Sequence, residues 1–103
     1  MSKSMSRAQE AAEAYDKTLR AGDPRFNCTV KIIHEEGTVF FVESAFLVKW
    51  SDPKLLDTTW IFLFAEHQPT RVFLKEEVWD YAVYGPRERI EWIGEAPPEE
   101  DLS

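Results

Sequence analysis

Two histidines, one cysteine and several carboxylate pairs are the groups in this chain that could do chemistry. His34 lies beside Glu35 and Glu36, and His67 follows Glu66. These residue types hold zinc or iron when about three of them converge. The spacing gives no support to that chemistry: His34-Glu35 needs a second histidine at position 38 for a helical zinc-protease motif, and Thr38 stands there. Adjacent carboxylates at Glu35-Glu36, Glu76-Glu77 and Glu99-Glu100 point to opposite faces of an extended chain, so they make no acid/base couple. Cys28 sits mid-way along an alternating apolar run, the place of a small buried hydrophobe, and only Lys31 and His34 are near enough in sequence to lower its pKa. No G-x-S-x-G, Cys-x-x-Cys or glycine-rich phosphate loop occurs. The expectation is a protein that is not an enzyme and needs no metal or cofactor. The opposing reading is an enzyme whose site gathers dispersed residues such as His34 and His67.

The elements that would position these groups follow from hydrophobic period. Ser6 and Gln9 have capping-box spacing, and Ala8, Ala12, Tyr15 and Leu19 share one helical stripe, with Gly22 suited to the C-terminal cap and Pro24 blocking continuation. A helix is predicted over 6–21. It carries few large apolar groups, so it holds to the domain through Tyr15 and Leu19 or else packs on a partner. From Phe26 the period becomes two, with Cys28, Val30 and Ile32 on one face and Thr29 and Lys31 on the other. After a polar turn at 34–38, the run 39–50 puts Phe40, Val42, Ser44, Phe46, Val48 and Trp50 on one face, while Glu43-Ser44-Ala45 marks either a bulge or a break. Asp52-Pro53 nucleates a loop over 51–57. The segment 58–65 is apolar on both faces, as a central strand must be, and 71–74 is its hairpin partner. Residues 75–84 fit a short helix, with a strand as the competing reading, and 90–93 a last short strand. The predicted fold is α+β: an N-terminal helix, a curved and mainly antiparallel sheet of four or five strands or small partly open barrel, and a short helix near the C-terminus. Residues 1–5 read as a disordered N-terminus, 6–94 as the single domain and 95–103 as an acidic disordered tail.

At 103 residues and a net charge of −7, the chain has room for one core and a surplus of acid. Residues 1–24 balance their charges, 25–94 carry −3, and the tail adds Glu95, Glu99, Glu100 and Asp101. No cluster of Lys and Arg is available to neutralise phosphates, which argues against nucleic acid and towards a larger protein with a basic surface. A single cysteine excludes an internal disulfide, and no apolar run reaches the length of a membrane helix or secretory leader. The expected compartment is the cytoplasm, with no membrane partner.

Of the 14 aromatic residues, 13 lie within 25–94, so most of them must build the core. Trp79, Tyr81, Tyr84 and Trp92 instead stand among polar residues, as aromatic anchors of protein interfaces do. Together with Glu76, Glu77 and Asp80, which would steer a basic partner, they form the candidate protein-binding site of an inhibitor, immunity-type or adaptor protein, with a homodimer as an open alternative. A second candidate is an aromatic ligand pocket built from Phe40, Trp50 and Trp60. Phe46-Leu47-Val48-Lys49-Trp50, with Thr59-Trp60 following, resembles the central hairpin of a chromodomain over about fifteen residues. That resemblance implies a cage that reads methyl-lysine through cation–π contact. The pattern departs from the family at Ile61-Phe62, where an acidic residue and proline are expected, and at Pro53, where an aromatic is expected.

Overall fold

The computed structural model describes residues 3–85 and 90–93. It contains one helix, α1 (Lys3–Asp16), then β1 (Cys28–His34), β2 (Val39–Asp52), β3 (Leu55–Ala65), β4 (Arg71–Leu74), a single 3-10 turn (Lys75–Glu77), β5 (Val78–Tyr84) and β6 (Ile90–Ile93). The small α+β class and the antiparallel sheet hold. The strand order is β4-β3-β2-β1-β5, antiparallel throughout, and β6 adds in parallel to β2 with Val48 opposite Ile90 and Trp50 opposite Trp92. The acidic segment 95–103 lies outside the described residues.

Three local expectations are corrected. The helix starts at Lys3, so Ser6 lies inside it rather than capping it, and residues 3–5 are helical rather than disordered. It also ends at Asp16 rather than near residue 21. There Thr18 bonds the Tyr15 carbonyl through both its N–H (2.9 Å) and its hydroxyl (2.7 Å), so a side chain competes with the next helical turn. The predicted short helix over 75–84 is only the 3-10 turn at 75–77, and 78–84 is strand. Pairing with β1 over six residue positions outweighs a helical period that could bury only Val78, Tyr81 and Ala82.

β2 organises the molecule. A straight strand of its 14 residues would run about 45 Å, yet the longest dimension of the chain is 34 Å. The bend falls at Ser44, a non-glycine residue with φ +53°. Between the pairs Cys28↔Ala45 and Val30↔Val42, β2 advances by three residues and β1 by two, so one residue bulges. The bulge reverses which face each later side chain takes. Phe40, Val42, Ala45 and Leu47 join one cluster, with Val30, Ile32, Ile61, Leu63 and Phe73. Phe46, Val48 and Trp50 join the other, with Trp60, Phe62, Phe64 and α1. Simple alternation placed Phe40 and Val42 on the same face as Phe46, Val48 and Trp50, and the bulge overturns that.

The two clusters sit on opposite sides of the sheet. On one side α1 lays Ala8, Ala11, Ala12 and Tyr15 against it. Tyr15 is fully buried and stacks on Phe64 at 4.9 Å between ring centres. The three alanines let the helix approach closely, and Tyr15 adds a large buried aromatic ring. On the other side the sheet curls over its own second cluster. Phe40 at the start of β2 meets Phe73 of β4 at 5.3 Å, although β3 and the rest of β2 separate them in strand order.

Two ion pairs tie the helix layer down. Arg7 donates from Nε and Nη2 to both oxygens of Asp52, each at 2.9 Å, and Asp52 is completely buried. Asp52 also accepts from the Lys54 N–H at 2.8 Å, which closes the tight turn into β3. That turn is shorter than the 51–57 loop read from Asp52-Pro53, because β2 runs on to Asp52 and β3 begins at Leu55. Arg25, also buried, donates to Asp23 and, through Nη1, to the Tyr15 hydroxyl at 3.3 Å.

Candidate functional site

The outer face of β5, β1 and the first half of β2 carries no covering layer among the described residues. Its side chains follow from the register. Val30 and Ile32 turn inward, so Thr29, Lys31 and Ile33 turn outward. Opposite Lys31 stand Phe41 on one side and Ala82 on the other, opposite Ile33 stand Val39 and Asp80, and opposite Thr29 stands Tyr84. Phe41 is 59% exposed, Val39 53% and Tyr84 54%. Trp79 is the extra residue of a second irregularity, where β1 steps from Ile33 to His34 while β5 steps from Asp80 to Val78. It stands 68% exposed at the rim of this face. Only one other large hydrophobic side chain, Leu55, is exposed among the described residues, so the apolar exposure is concentrated here.

An acidic border surrounds the face. Glu43 follows Phe41 at the bulge, and Asp80 lies in the outer row beside Ile33. At the end of the β1–β2 hairpin, Glu35 and Glu36 are exposed and the Glu35 N–H donates to the Glu77 carbonyl at 2.8 Å, which joins the hairpin to the 3-10 turn and its Glu76. The Glu77 carboxylate lies 4.0 Å from His34. Lys31 and Lys75 are the lysines near the border.

The residues proposed from sequence are divided by this arrangement. Trp79, Tyr84, Glu76 and Asp80 come together on or around the exposed face, with Glu77 beside them and half-buried. Tyr81 does not join them: its side chain turns inward against the second cluster, and its N–H donates to Asp80 Oδ1 at 2.9 Å. Trp92 belongs to β6, across from Trp50 and away from β5, and its side chain lies outside the described residues. Val39 and Phe41 were missed. Both have the parity opposite to Phe40 and Val42, and that parity was the available signal.

The second candidate does not assemble. Phe40 belongs to one cluster and Trp50 and Trp60 to the other, with the sheet between them. Trp50 and Trp60 are direct cross-strand partners and only 1% and 3% exposed, so they form core rather than an open cage. The Arg71 guanidinium already lies 4.7 Å from the Phe40 ring centre. Of two clefts beside α1, one is lined by Arg7, Glu10, Ala11 and Trp50 and so meets a single residue of the candidate cage, while the other, lined by Gln9, Ala12, Glu13, Asp16, Thr70 and Val72, meets none.

The groups with reactive side chains are scattered. His34 closes β1 against Phe73, whereas His67 is exposed after β3 beside Glu66. Cys28 is buried, with Sγ 3.3 Å from Asn27 Oδ1. Among the described residues, no three of the His, Cys, Asp and Glu side chains gather as a metal site. No helix is long and apolar enough to cross a membrane among those residues.

The chain matches no protein-family model, no curated protein and no solved structure. The likeness to a chromodomain hairpin is therefore confined to a β2–β3 pairing with Trp50 opposite Trp60.

Proposed function

We propose that this chain is a protein-binding module of the inhibitor, immunity or adaptor kind, and that it engages a larger protein through the outer face of β5, β1 and β2. The observation that carries this reading is the concentration of exposed apolar side chains, Val39, Phe41, Trp79 and Tyr84, on one acid-bordered sheet face. A small monomeric domain gains nothing in folding from such a patch, while an interface uses large aromatic side chains as anchors. Glu35, Glu36, Glu43, Glu76 and Asp80 raise the encounter rate with a basic surface and fix its orientation.

The test is affinity capture from the native host with the wild type and with Trp79→Ala and Phe41→Ser side by side, followed by titration of the purified partner. Both substitutions remove exposed side chains, so the free fold keeps its thermal midpoint within a few degrees. A partner held at the wild-type face should bind about 30-fold more weakly to either variant, the effect of an anchor worth about 2 kcal/mol. Equal binding by wild type and both variants overturns the assignment of this face.

A further inference from the structure

The outer face ends at a strand edge, and the edge specifies how a partner docks. β5 is the last strand in the order β4-β3-β2-β1-β5 and spans seven residues. In an antiparallel pair, residues alternate between those whose main-chain groups bond across the pair and those whose groups point to the far side. In the β1–β2 hairpin the His34 N–H donates to the Thr38 carbonyl, which puts Ile32 and Val30 in the set bonded to β2 and turns the main-chain groups of Ile33, Lys31 and Thr29 towards their β5 partners Asp80, Ala82 and Tyr84. Val83, between Ala82 and Tyr84, therefore turns its N–H and carbonyl away from β1, to a side where no strand pairs with β5 among the described residues. The opposite edge differs. β4 has four residues, and its Arg71 and Phe73 fold against Phe40 and His34.

We propose, resting on the binding face assigned above, that the partner adds a β-strand to this edge, pairing with the Val83 main chain and extending the outer face by one strand. Main-chain hydrogen bonds supply affinity in this mode, and alternate side chains supply specificity. The occupant is an extended segment of a basic protein with alternating character. Apolar side chains lie beside Tyr81 and Val83 on the inward side. Lys or Arg side chains lie on the outward side, where they pair with Asp80 and lay their stems and charges over the exposed rings of Tyr84 and Trp79. A second copy is a poor occupant, because it brings another chain of net charge −7 with the same acidic border.

The test uses the whole isotope-labelled chain and three capped seven-residue peptides: alternating Val and Arg, alternating Val and Glu, and the Val/Arg sequence N-methylated at alternate residues so that it cannot pair. Saturating Val/Arg peptide should slow amide exchange at Val83 at least tenfold and shift the Ala82 and Tyr84 resonances. The other two peptides should leave Val83 exchange unchanged. A Val83→Pro variant, which lacks the outward N–H and replaces the partly buried Val83 side chain with a proline ring, should fold with a lower thermal midpoint and no longer shift the Ala82 and Tyr84 resonances when Val/Arg peptide is added. Protection at β4 instead, equal binding by the N-methylated peptide, or no binding of Val/Arg at millimolar concentration each overturns strand addition. If peptide shifts Phe41 and Tyr84 without protecting Val83, the binding face survives and only the edge is lost. Protection at Val83 that grows with protein concentration and needs no peptide names a second copy as the occupant.

Discussion

Asp52→Asn removes the charge that locks α1 to the β2–β3 hairpin while leaving an oxygen able to accept from the Lys54 N–H. The wild-type carboxylate is fully buried and receives two charge-assisted hydrogen bonds from Arg7, whose side chain is 28% exposed. A buried ion pair broken on one side costs about 3 to 5 kcal/mol, and hydrogen bonds to charged groups are worth about 1.5 to 3 kcal/mol. Because Arg7 can turn to water, the lower range applies, and the variant should lose about 2 to 3 kcal/mol, equivalent to a midpoint lower by about 10 to 15 °C. The hydrogen bonds from Arg7 hold the Asp52 carboxyl below its usual range; burial opposes them, and the backbone N–H groups of Lys54 and Leu55 assist them. A carboxyl depressed on folding stabilises the protein above its unfolded pKa, and that stability is lost as pH falls through the folded value. The gap between wild type and variant in urea unfolding should thus be full at pH 7 and shrink steadily below about pH 4. A gap under about 0.5 kcal/mol at pH 7, or one equal at pH 7 and pH 2.5, refutes the reasoning.

Tyr15→Ala should cost about 3 to 5 kcal/mol in denaturant unfolding, because it leaves a void against Phe46 and Phe64 and strips the helix of a large buried anchor. A loss under 1 kcal/mol would mean that α1 is not part of the cooperative unit. Gly85→Ala should destabilise by about 1 to 3 kcal/mol: the φ of Gly85 is +138°, and an added Cβ would stand 2.9 Å from the Asn27 carbonyl oxygen. A thermal midpoint equal to wild type rules that strain out. Ser44→Gly should hold or raise stability by up to about 1 kcal/mol and Ser44→Val should lower it by about 1 to 2 kcal/mol, since the left-handed backbone at Ser44 suits glycine and opposes a β-branched side chain. The reverse order of the two variants in the same unfolding assay would place the bend elsewhere.

Element type was legible wherever burial agreed with period. β1 alternates cleanly because one face is core, and β3 is apolar on both faces because each of its sides meets a different cluster. Residues 75–84 misled because Val78 and Tyr81 satisfy a helical spacing and also a strand bulged at Trp79. A single extra residue in the pairing is invisible to a count of apolar positions. The contacts that two arginines make with distant partners were illegible for another reason: Arg7 meets Asp52 45 positions away, and Arg25, besides its local pairing with Asp23, reaches back ten positions to Tyr15.

Ser44 joins the fold to the site. Alternation along 39–50 predicted a single apolar face, and had that pattern held, Phe40 would sit with Trp50 and Trp60 and an aromatic cage could form. The bulge instead sends the two halves of β2 to opposite sides, burying Trp50 and Trp60 beneath α1 and Phe40 inside the curl. With Phe40 turned in, Val39 and Phe41 must turn out, beside Ile33 and Lys31. The same one-residue irregularity therefore dismantles the candidate pocket and creates the exposed face. The sequence carried its trace as Glu43-Ser44-Ala45, a charged and two small residues in an apolar run, but side-chain size alone does not distinguish a bulge from a chain break. What decides it is that both halves remain paired, Val42 to Val30 and Ala45 to Cys28 and Ala65, which only a continuous, bent strand allows.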